Sequence, residues 1–239
     1  DAFGGSGLLA HIAKRTKPAA RVIYNDYDGY TARLTHIDDT NRLRRIIGDL
    51  TGHLPRNKPI PPSDREPVRR AIRDFDGYRD IDCLSSWLLF SGKQAPDLDR
   101  LLRTDLYNVV RQSDYPPAGD YLQGLEITHE SYITLLPQYV DDPRCLLVLD
   151  PPYICTMQGA YRKAGYFGMV EFLRLMRLVR PPFIFFSSTR SELPAYLSFI
   201  METRAAGWER IAGYQTITAQ VRLNKNSAYE DNLVYKFTP

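Results

Sequence analysis

The residues Asp150-Pro151-Pro152-Tyr153 combine groups that can bind a planar amine. They directly follow Leu146–Leu149, a short apolar run that predicts a buried strand. Proline has a fixed φ and no N–H, so the loop presents free carbonyl oxygens beside one carboxylate and one aromatic ring. Asp150 and the Pro151 carbonyl can accept the two hydrogens of a nucleobase amino group while Tyr153 stacks on its ring. An Asp-Pro-Pro turn that only ends a strand is the alternative.

A glycine-rich turn at the start of the chain is a second candidate site. It precedes the apolar, helix-like residues 8–13 and consists of Asp1, Ala2, Phe3, Gly4, Gly5, Ser6 and Gly7. Glycines allow the backbone to approach a ligand closely, and the following helix presents its positive end. The spacing matches neither a dinucleotide fingerprint nor a phosphate-binding loop, because G-x-G-x-x-G and a following Lys-Ser/Thr are both missing. We therefore expect a nucleoside-like ligand.

Asp26 follows a second predicted strand, Arg21–Tyr24. An acidic residue about twenty positions after a glycine turn can accept hydrogen bonds from ribose hydroxyls. Capping of the next helix is the alternative role for this carboxylate.

The glycine turn and the later Asp-Pro-Pro-Tyr loop, in this order, resemble the motifs of the Dam-type DNA adenine methyltransferases, D-x-F-x-G-x-G followed by D-P-P-Y. The resemblance covers most of the chain outside its middle. It implies an α/β fold with a doubly wound, Rossmann-like methyltransferase sheet, mainly parallel, closed by a C-terminal antiparallel hairpin and carrying a helical insertion. Residues 183–188 resemble the family's next strand, and residues 224–235 resemble its closing hairpin.

The resemblance also implies the function and the site. It predicts methyl transfer from S-adenosylmethionine to the amino group of a flipped adenine in double-stranded DNA, with Asp150, Pro151, Pro152 and Tyr153 as catalytic residues. The cofactor contacts would be the glycine turn, Asp26, Asp150 and the pair Ser131-Tyr132, where many family members have Asp-Phe. Methylation of cytosine, RNA or protein amides remains an alternative, as does a catalytically silent nucleic-acid-binding subunit.

The sequence begins on the glycine turn itself. The strand that should lead into Asp1 would lie in the middle of a doubly wound sheet, where its loss would leave buried backbone groups unpaired. We therefore expect the natural protein to extend upstream of Asp1.

The middle of the chain interrupts the alternation of strands and helices. We assign residues 1–40 and 123–239 to the cofactor-binding catalytic domain and residues 41–122 to a helical target-recognition insertion. Residues 81–90 repeat apolar side chains at helical spacing, which predicts that Trp87 and Phe90 are core residues.

A basic island spans residues 41–73, with nine Lys or Arg against three acids. Its arginines can neutralise phosphates, so Arg42, Arg44 and Arg45 are predicted DNA contacts. Lys93 in the insertion and Arg162 and Lys163, twelve residues after Asp150, are further candidates. A solvated helix face balanced by neighbouring acids is the alternative.

The composition fits this interpretation without demanding it. The 239 residues carry a formal charge of +3, which permits a polyanionic partner. Three cysteines favour a reducing compartment, and four scattered histidines predict no metal site. No apolar run approaches the roughly 20 residues that cross a bilayer, so we expect a cytoplasmic protein without membrane contact. The sequence leaves the oligomeric state open.

Overall fold

The computed structural model describes residues 1–154, 167–189, 191–224 and 227–238, with side chains at all of these except 221–224 and 227–229. It divides the chain into two compact units. The sheet unit comprises Asp1–Tyr30 and Leu122–Pro239, and the helical unit comprises Thr31–Tyr121. The sequence-based boundary at residue 41 falls inside one continuous helix, Ile37–Thr51, so the structural division comes earlier.

The described helices are α1 (Leu8–Thr16), α2 (Tyr30–Leu34), α3 (Ile37–Thr51), α4 (Pro62–Arg73), α5 (Ile81–Leu88), α6 (Leu98–Arg103), α7 (Tyr132–Leu135), α8 (Met169–Leu178), α9 (Leu193–Thr203) and α10 (Trp208–Ile211). The described strands are β1 (Ile23–Asn25), β2 (Glu126–Thr128), β3 (Leu147–Leu149), β4 (Phe183–Ser188), β5 (Gln215–Asn224) and β6 (Ser227–Lys236).

The strands form two sheets within the sheet unit. β1 and β2 make a parallel pair, and a mixed sheet has the order β3-β4-β6-β5. β3 is parallel to β4, while β6 is antiparallel to both β4 and β5. The predicted α/β fold and C-terminal antiparallel hairpin are confirmed. The prediction of a single, mainly parallel sheet is only partly met. The two parallel pairs are short, and the long hairpin makes the second sheet mixed.

The first residues of the chain lie between the two sheets. The Asp1 nitrogen donates to the Ile23 carbonyl (3.0 Å) and the Asn25 nitrogen donates to the Asp1 carbonyl (3.1 Å), which is the pattern of a parallel pair. On the other side, the Ala2 nitrogen donates to the Val148 carbonyl (3.1 Å). Residues 1–2 are therefore flanked by β1 and β3. The chain order reverses at this point, where open α/β sheets bind ligands.

The core of the sheet unit forms where the apolar sides of strands and helices meet. Leu149 of β3 and Phe185 of β4 are buried in one cluster with Phe172 and Leu175 of α8. The α8 residues recur at helical spacing, so one stripe of this helix packs inward. The strands are thereby held in place, and with them the loops at their ends.

The helical unit has a separate core. Leu43 and Ile47 of α3, Ile72 of α4 and Leu84 of α5 belong to one buried cluster. Asp80 and Asp97 cap the starts of α5 and α6, accepting from the Cys83 and Arg100 nitrogens at 2.9 and 2.7 Å.

The core prediction for the end of α5 is half right. Trp87 is buried, as predicted. Phe90 is 54% exposed, so its assignment to the core is wrong. The helical repeat that predicted its burial stops at Leu88, and the extended Leu89 takes the buried position instead.

Among the residues that the structure describes, no helix is both long enough and apolar enough to cross a membrane.

Candidate active site

One open cleft of the sheet unit is lined by both sequence motifs. Phe3, Gly4 and Gly5 contribute from the glycine turn, Asp150 and Pro152 from the loop after β3, and Asn25, Tyr27 and Asp28 from the end of β1. Residues 1–2 pair with β1 on one side and with β3 on the other. Each of the three lining segments lies at the carboxyl end of one of these pieces of backbone. The cleft therefore lies at the edge of the sheet where the order of the strands reverses.

The glycine turn is fixed against β1. The Gly4 nitrogen donates to the Asn25 carbonyl (3.2 Å), and the Tyr24 hydroxyl donates to the Gly5 carbonyl (2.8 Å). A Cβ at Gly4 would lie 2.3 Å from two carbons of the Tyr24 ring, so this close approach requires glycine. Gly7, with φ 76°, begins α1.

The seven predicted residues of the turn therefore have different roles. Phe3, Gly4 and Gly5 line the cleft, whereas Ala2 is buried in the core and Ser6 is exposed. Both Asp1 carboxylate oxygens are buried and have no hydrogen-bond partner among the described residues. Within the turn, the predicted cofactor contact is therefore best placed at Phe3, Gly4 and Gly5.

The loop after β3 combines an accessible carboxyl with buried prolines. Pro151 and Pro152 are buried, while Asp150 is accessible through the cleft. Because the prolines have no N–H, the first backbone donors after Asp150 belong to Tyr153 and Ile154. The Ile154 nitrogen donates to Oε2 of Glu192 (3.0 Å), and Ile154 packs against the core of the sheet unit. The exit of the loop is therefore anchored by a charge-assisted hydrogen bond.

Glu192 is a site residue that sequence analysis missed. It is the N-cap of α9, and the turn before it is held by Ser191, whose hydroxyl donates to the Ser188 carbonyl (2.9 Å). No motif marks this glutamate, and its partner is 38 residues away in sequence. Only the pairing of β3 with β4 brings the two loops together.

The environment of Asp150 raises the pKa of its carboxyl above the usual value. Solvent reaches the carboxyl through the cleft, but the surrounding protein displaces enough water to raise its pKa to about 6. The negative charge of Asp231 on β6 makes a second, smaller contribution in the same direction. The carboxylate is nevertheless the main form at neutral pH. Asp231 was not predicted as a site residue either.

Asp26 has the alternative role considered from the sequence. It is 1% exposed, and its Oδ1 accepts a hydrogen bond from the Tyr30 nitrogen (2.5 Å) at the start of α2. Asp28, two residues later, lines the cleft instead. Asp28 is therefore the acidic residue after β1 that lines the cleft, and the cofactor contact predicted for Asp26 stays a prediction. The spacing rule alone could not distinguish two acids so close in sequence.

Ser131 and Tyr132 lie behind the cleft rather than in its lining. The Ser131 hydroxyl caps α7, accepting from the Ile133 nitrogen at 3.4 Å. Tyr132 is buried, with its ring 5.4 Å from that of Phe3 and 5.9 Å from that of Phe167. Its hydroxyl donates to the Glu171 carbonyl. Tyr132 therefore supports Phe3 from behind, and the direct cofactor contact of this pair stays a prediction.

The three arginines of the basic island that were predicted to contact DNA are paired with acids that lie outside the island in sequence. Arg44 is buried, and its guanidinium donates to Asp114 and to the carbonyls of residues 111 and 112. Arg45 shares Asp114, and Arg42 pairs with Asp39 and Asp76. Arg44 therefore holds the loop after α6, and its predicted DNA contact stays a prediction. Arg42 and Arg45 are exposed and ion-paired, Arg42 with two carboxylates and Arg45 with the one that it shares with Arg44.

The remaining candidates for nucleic-acid contact differ in what can be said of them. Lys93 is exposed in the helical unit. Arg162 and Lys163 lie outside the described residues. Within the described part of the chain, no three His, Cys, Asp or Glu side chains are grouped to hold a metal ion.

Comparison with known proteins gives the family. No protein-family profile matches the chain. It is 50% identical over 238 residues to a protein of Haemophilus influenzae named "Putative methyltransferase", and the match covers 99% of this chain and 80% of that protein. The chain therefore belongs to the same family of methyltransferases.

Proposed function

We propose that this methyltransferase transfers a methyl group from S-adenosylmethionine to the exocyclic amino group of an adenine in double-stranded DNA. One observation carries the proposal: the glycine turn and the Asp150 loop line the same cleft. A methyl donor held by the first segment and an amine held by the second would therefore be neighbours. Proximity of this kind is a large part of catalysis of a two-substrate reaction.

The residues on the donor side of the cleft fit S-adenosylmethionine. Apart from Gly5 and its two chain neighbours, no atom of the described residues lies within 4 Å of the position that a Cβ at Gly5 would take, which leaves space for a ligand against this backbone. Asp28 offers a carboxylate for ribose hydroxyls, and Phe3 offers an aromatic surface, supported by Tyr132. When bound, the cofactor supplies a methyl group on a positively charged sulfur.

The residues on the acceptor side fit an amino group of low nucleophilicity. The adenine nitrogen is a poor nucleophile because its lone pair is delocalised into the ring. Hydrogen bonds from its two hydrogens to Asp150 and to the Pro151 carbonyl favour a pyramidal nitrogen with a localised lone pair. Tyr153 stacks on the flipped base, which must leave the duplex to reach the loop.

The proposed partner, double-stranded DNA, rests on this base chemistry and on the sequence motifs. The rival acceptors are the cytosine amino group and RNA or protein amides, which the same loop could hold. A catalytically silent nucleic-acid-binding subunit is the rival outside enzymes.

Nucleoside analysis tests the proposal. The chain is incubated with isotope-labelled S-adenosylmethionine and unmethylated genomic DNA, which is then digested and analysed by mass spectrometry. We expect labelled N6-methyladenine. Labelled N4-methylcytosine would assign the other base, and labelled RNA or protein in parallel reactions would assign the other acceptors. DNA binding in the absence of any methyl transfer or cofactor uptake would support the silent subunit.

A further inference from the structure

An exposed aromatic side chain in the helical unit lies on a turn of unusual backbone geometry. Phe90 is 54% exposed directly after α5. The next residue, Ser91, has φ 52° and ψ 49°, and Gly92 has φ 73°. Left-handed conformations are uncommon for residues other than glycine and cluster at ligand-binding sites. The turn therefore differs from an ordinary loop between two helices in two ways. It exposes a large apolar side chain, and its backbone is strained at Ser91.

A second exposed segment lies beside this turn. The Phe90 ring is 4.9 Å from the ring of Tyr107, measured between centroids. Tyr107 pairs with Pro59, and the Asn108 nitrogen donates to the Lys58 carbonyl (2.9 Å). The loop that contains Lys58 thus lies next to the aromatic pair. Asn57 in that loop is also left-handed, with φ 56°.

The lysines of these two segments differ from Arg42, Arg44 and Arg45, which are ion-paired. Lys58 and Lys93 are exposed, and within the described chain neither has a carboxylate partner. Asp105, an acid close to Tyr107 in sequence, pairs with Arg65. We call Lys58, Phe90, Lys93 and Tyr107 the Phe90 patch. It combines aromatic rings with cations whose charge is available to a partner.

We propose that the Phe90 patch is a DNA-binding surface of the helical unit, with Lys58 and Lys93 contacting phosphates and Phe90 contacting a base or sugar. This inference rests on the proposed function, which makes DNA the substrate. Unpaired cations provide the sequence-independent affinity of a DNA interface. Exposed aromatic rings stack on bases or insert between base steps. The ion-paired Arg42 and Arg45 offer neither feature.

Salt-dependent DNA binding tests the patch. Fluorescence anisotropy with a short random-sequence duplex is measured across a range of salt concentrations for the wild type and Lys58→Ala/Lys93→Ala. Because each lost phosphate contact reduces the salt slope by roughly 0.9, we expect the double variant to reduce it by about 2. We expect Phe90→Ala to weaken binding about tenfold with little change in slope.

The matched control is Arg15→Ala/Lys17→Ala. It removes the same charge from exposed positions of the sheet unit, and we expect a salt slope close to that of the wild type. Equal slopes for the two double variants would overturn the patch, as would tighter binding of an RNA duplex than of DNA. Thermal unfolding identifies any variant that fails to fold, and Phe90→Leu then replaces Phe90→Ala as the milder removal of the ring.

Failure of the patch and failure of the proposed function are distinguishable. If the wild type methylates adenine in DNA and the patch variants bind normally, only the patch is wrong. If the wild type neither binds nor methylates DNA, the proposed function fails, and the patch loses its partner with it.

Discussion

The sheet unit and the helical unit use their charged side chains in different ways. At the cleft of the sheet unit, Asp28 and Asp150 face a space that a ligand can enter. In the helical unit, Arg42, Arg44 and Arg45 face acids from elsewhere in the same unit. A motif fixes a side chain relative to a strand end, whereas a count of charges in a window does not include partners that are distant in sequence. The sequence motifs therefore located a candidate site, whereas the count of basic residues located a set of internal ion pairs.

The strongest test of this contrast removes the carboxylate of the cleft. We expect Asp150→Ala to lower the rate of methyl transfer by about 10²- to 10³-fold or more, because a group that stabilises the reacting amine is lost. Binding of S-adenosylmethionine, measured by calorimetry, should remain partly intact. Full activity of this variant would show that the cleft is not where the reaction occurs.

The anchor of the loop should have the next largest effect. We expect Glu192→Ala to lower kcat about 10- to 100-fold, because the loop after Asp150 loses its hydrogen bond at Ile154. Glu192→Gln keeps an accepting oxygen and should restore most of the rate. Single-turnover kinetics and thermal unfolding are measured together for both variants. A rate loss that simply follows the loss of stability, without rescue by glutamine, would count against a positioning role.

The internal role of Arg44 can be separated from DNA binding by comparison with Arg45. We expect Arg44→Met to lower the free energy of unfolding by about 2 kcal/mol, because Asp114 and two carbonyls lose a buried charged donor. Arg45→Met removes an exposed ion pair and should cost less than about 1 kcal/mol. Urea unfolding measures both changes. If Arg44→Met instead reduced the salt slope of DNA binding at unchanged stability, the contrast between the units would break down.

The smallest expected effect is a shift in pH dependence. The ionised Asp150 carboxylate is the stronger acceptor for its amino hydrogen, so kcat/KM should rise with pH through about 6 and then level off. Removing the Asp231 charge favours ionisation of Asp150, so Asp231→Asn should move this rise to lower pH. Glu230→Gln makes the same charge change one residue away and serves as the control. If the pH profile of kcat/KM for Asp231→Asn matches that of the wild type, the two carboxyls do not interact.

Local sequence predicted the parts of the fold that depend on short-range patterns. The strand before Asp150 and the buried Trp87 are of this kind, since the local spacing of apolar residues specifies them. The C-terminal hairpin was instead expected from the resemblance to the methyltransferase family. The predicted burial of Phe90 was wrong because the apolar repeat continues in the sequence after α5 has ended. Where α5 stops depends on packing of the whole helical unit, which a short window does not contain.

The candidate site was predictable where a motif defines the backbone and unpredictable where a side chain reaches it from another element. Gly4 and Asp150 belong to the first group. Glu192 belongs to the second, because its contact depends on the pairing of β3 with β4. Asp26 and Asp28 show the limit of spacing rules: helix capping takes one carboxylate and leaves the other to the cleft.

The hydrogen bond from Ala2 to Val148 has a consequence for how this family can change. It ties the glycine turn to β3, which leads into the Asp150 loop, so under the proposed function the alignment of these two segments sets the distance that a methyl group must cross. A slip of one residue would turn the side chains of either segment to the opposite face. Insertions and deletions are therefore better tolerated near residues 30 and 122, where the chain leaves and re-enters the sheet unit, than in the few residues beside this hydrogen bond.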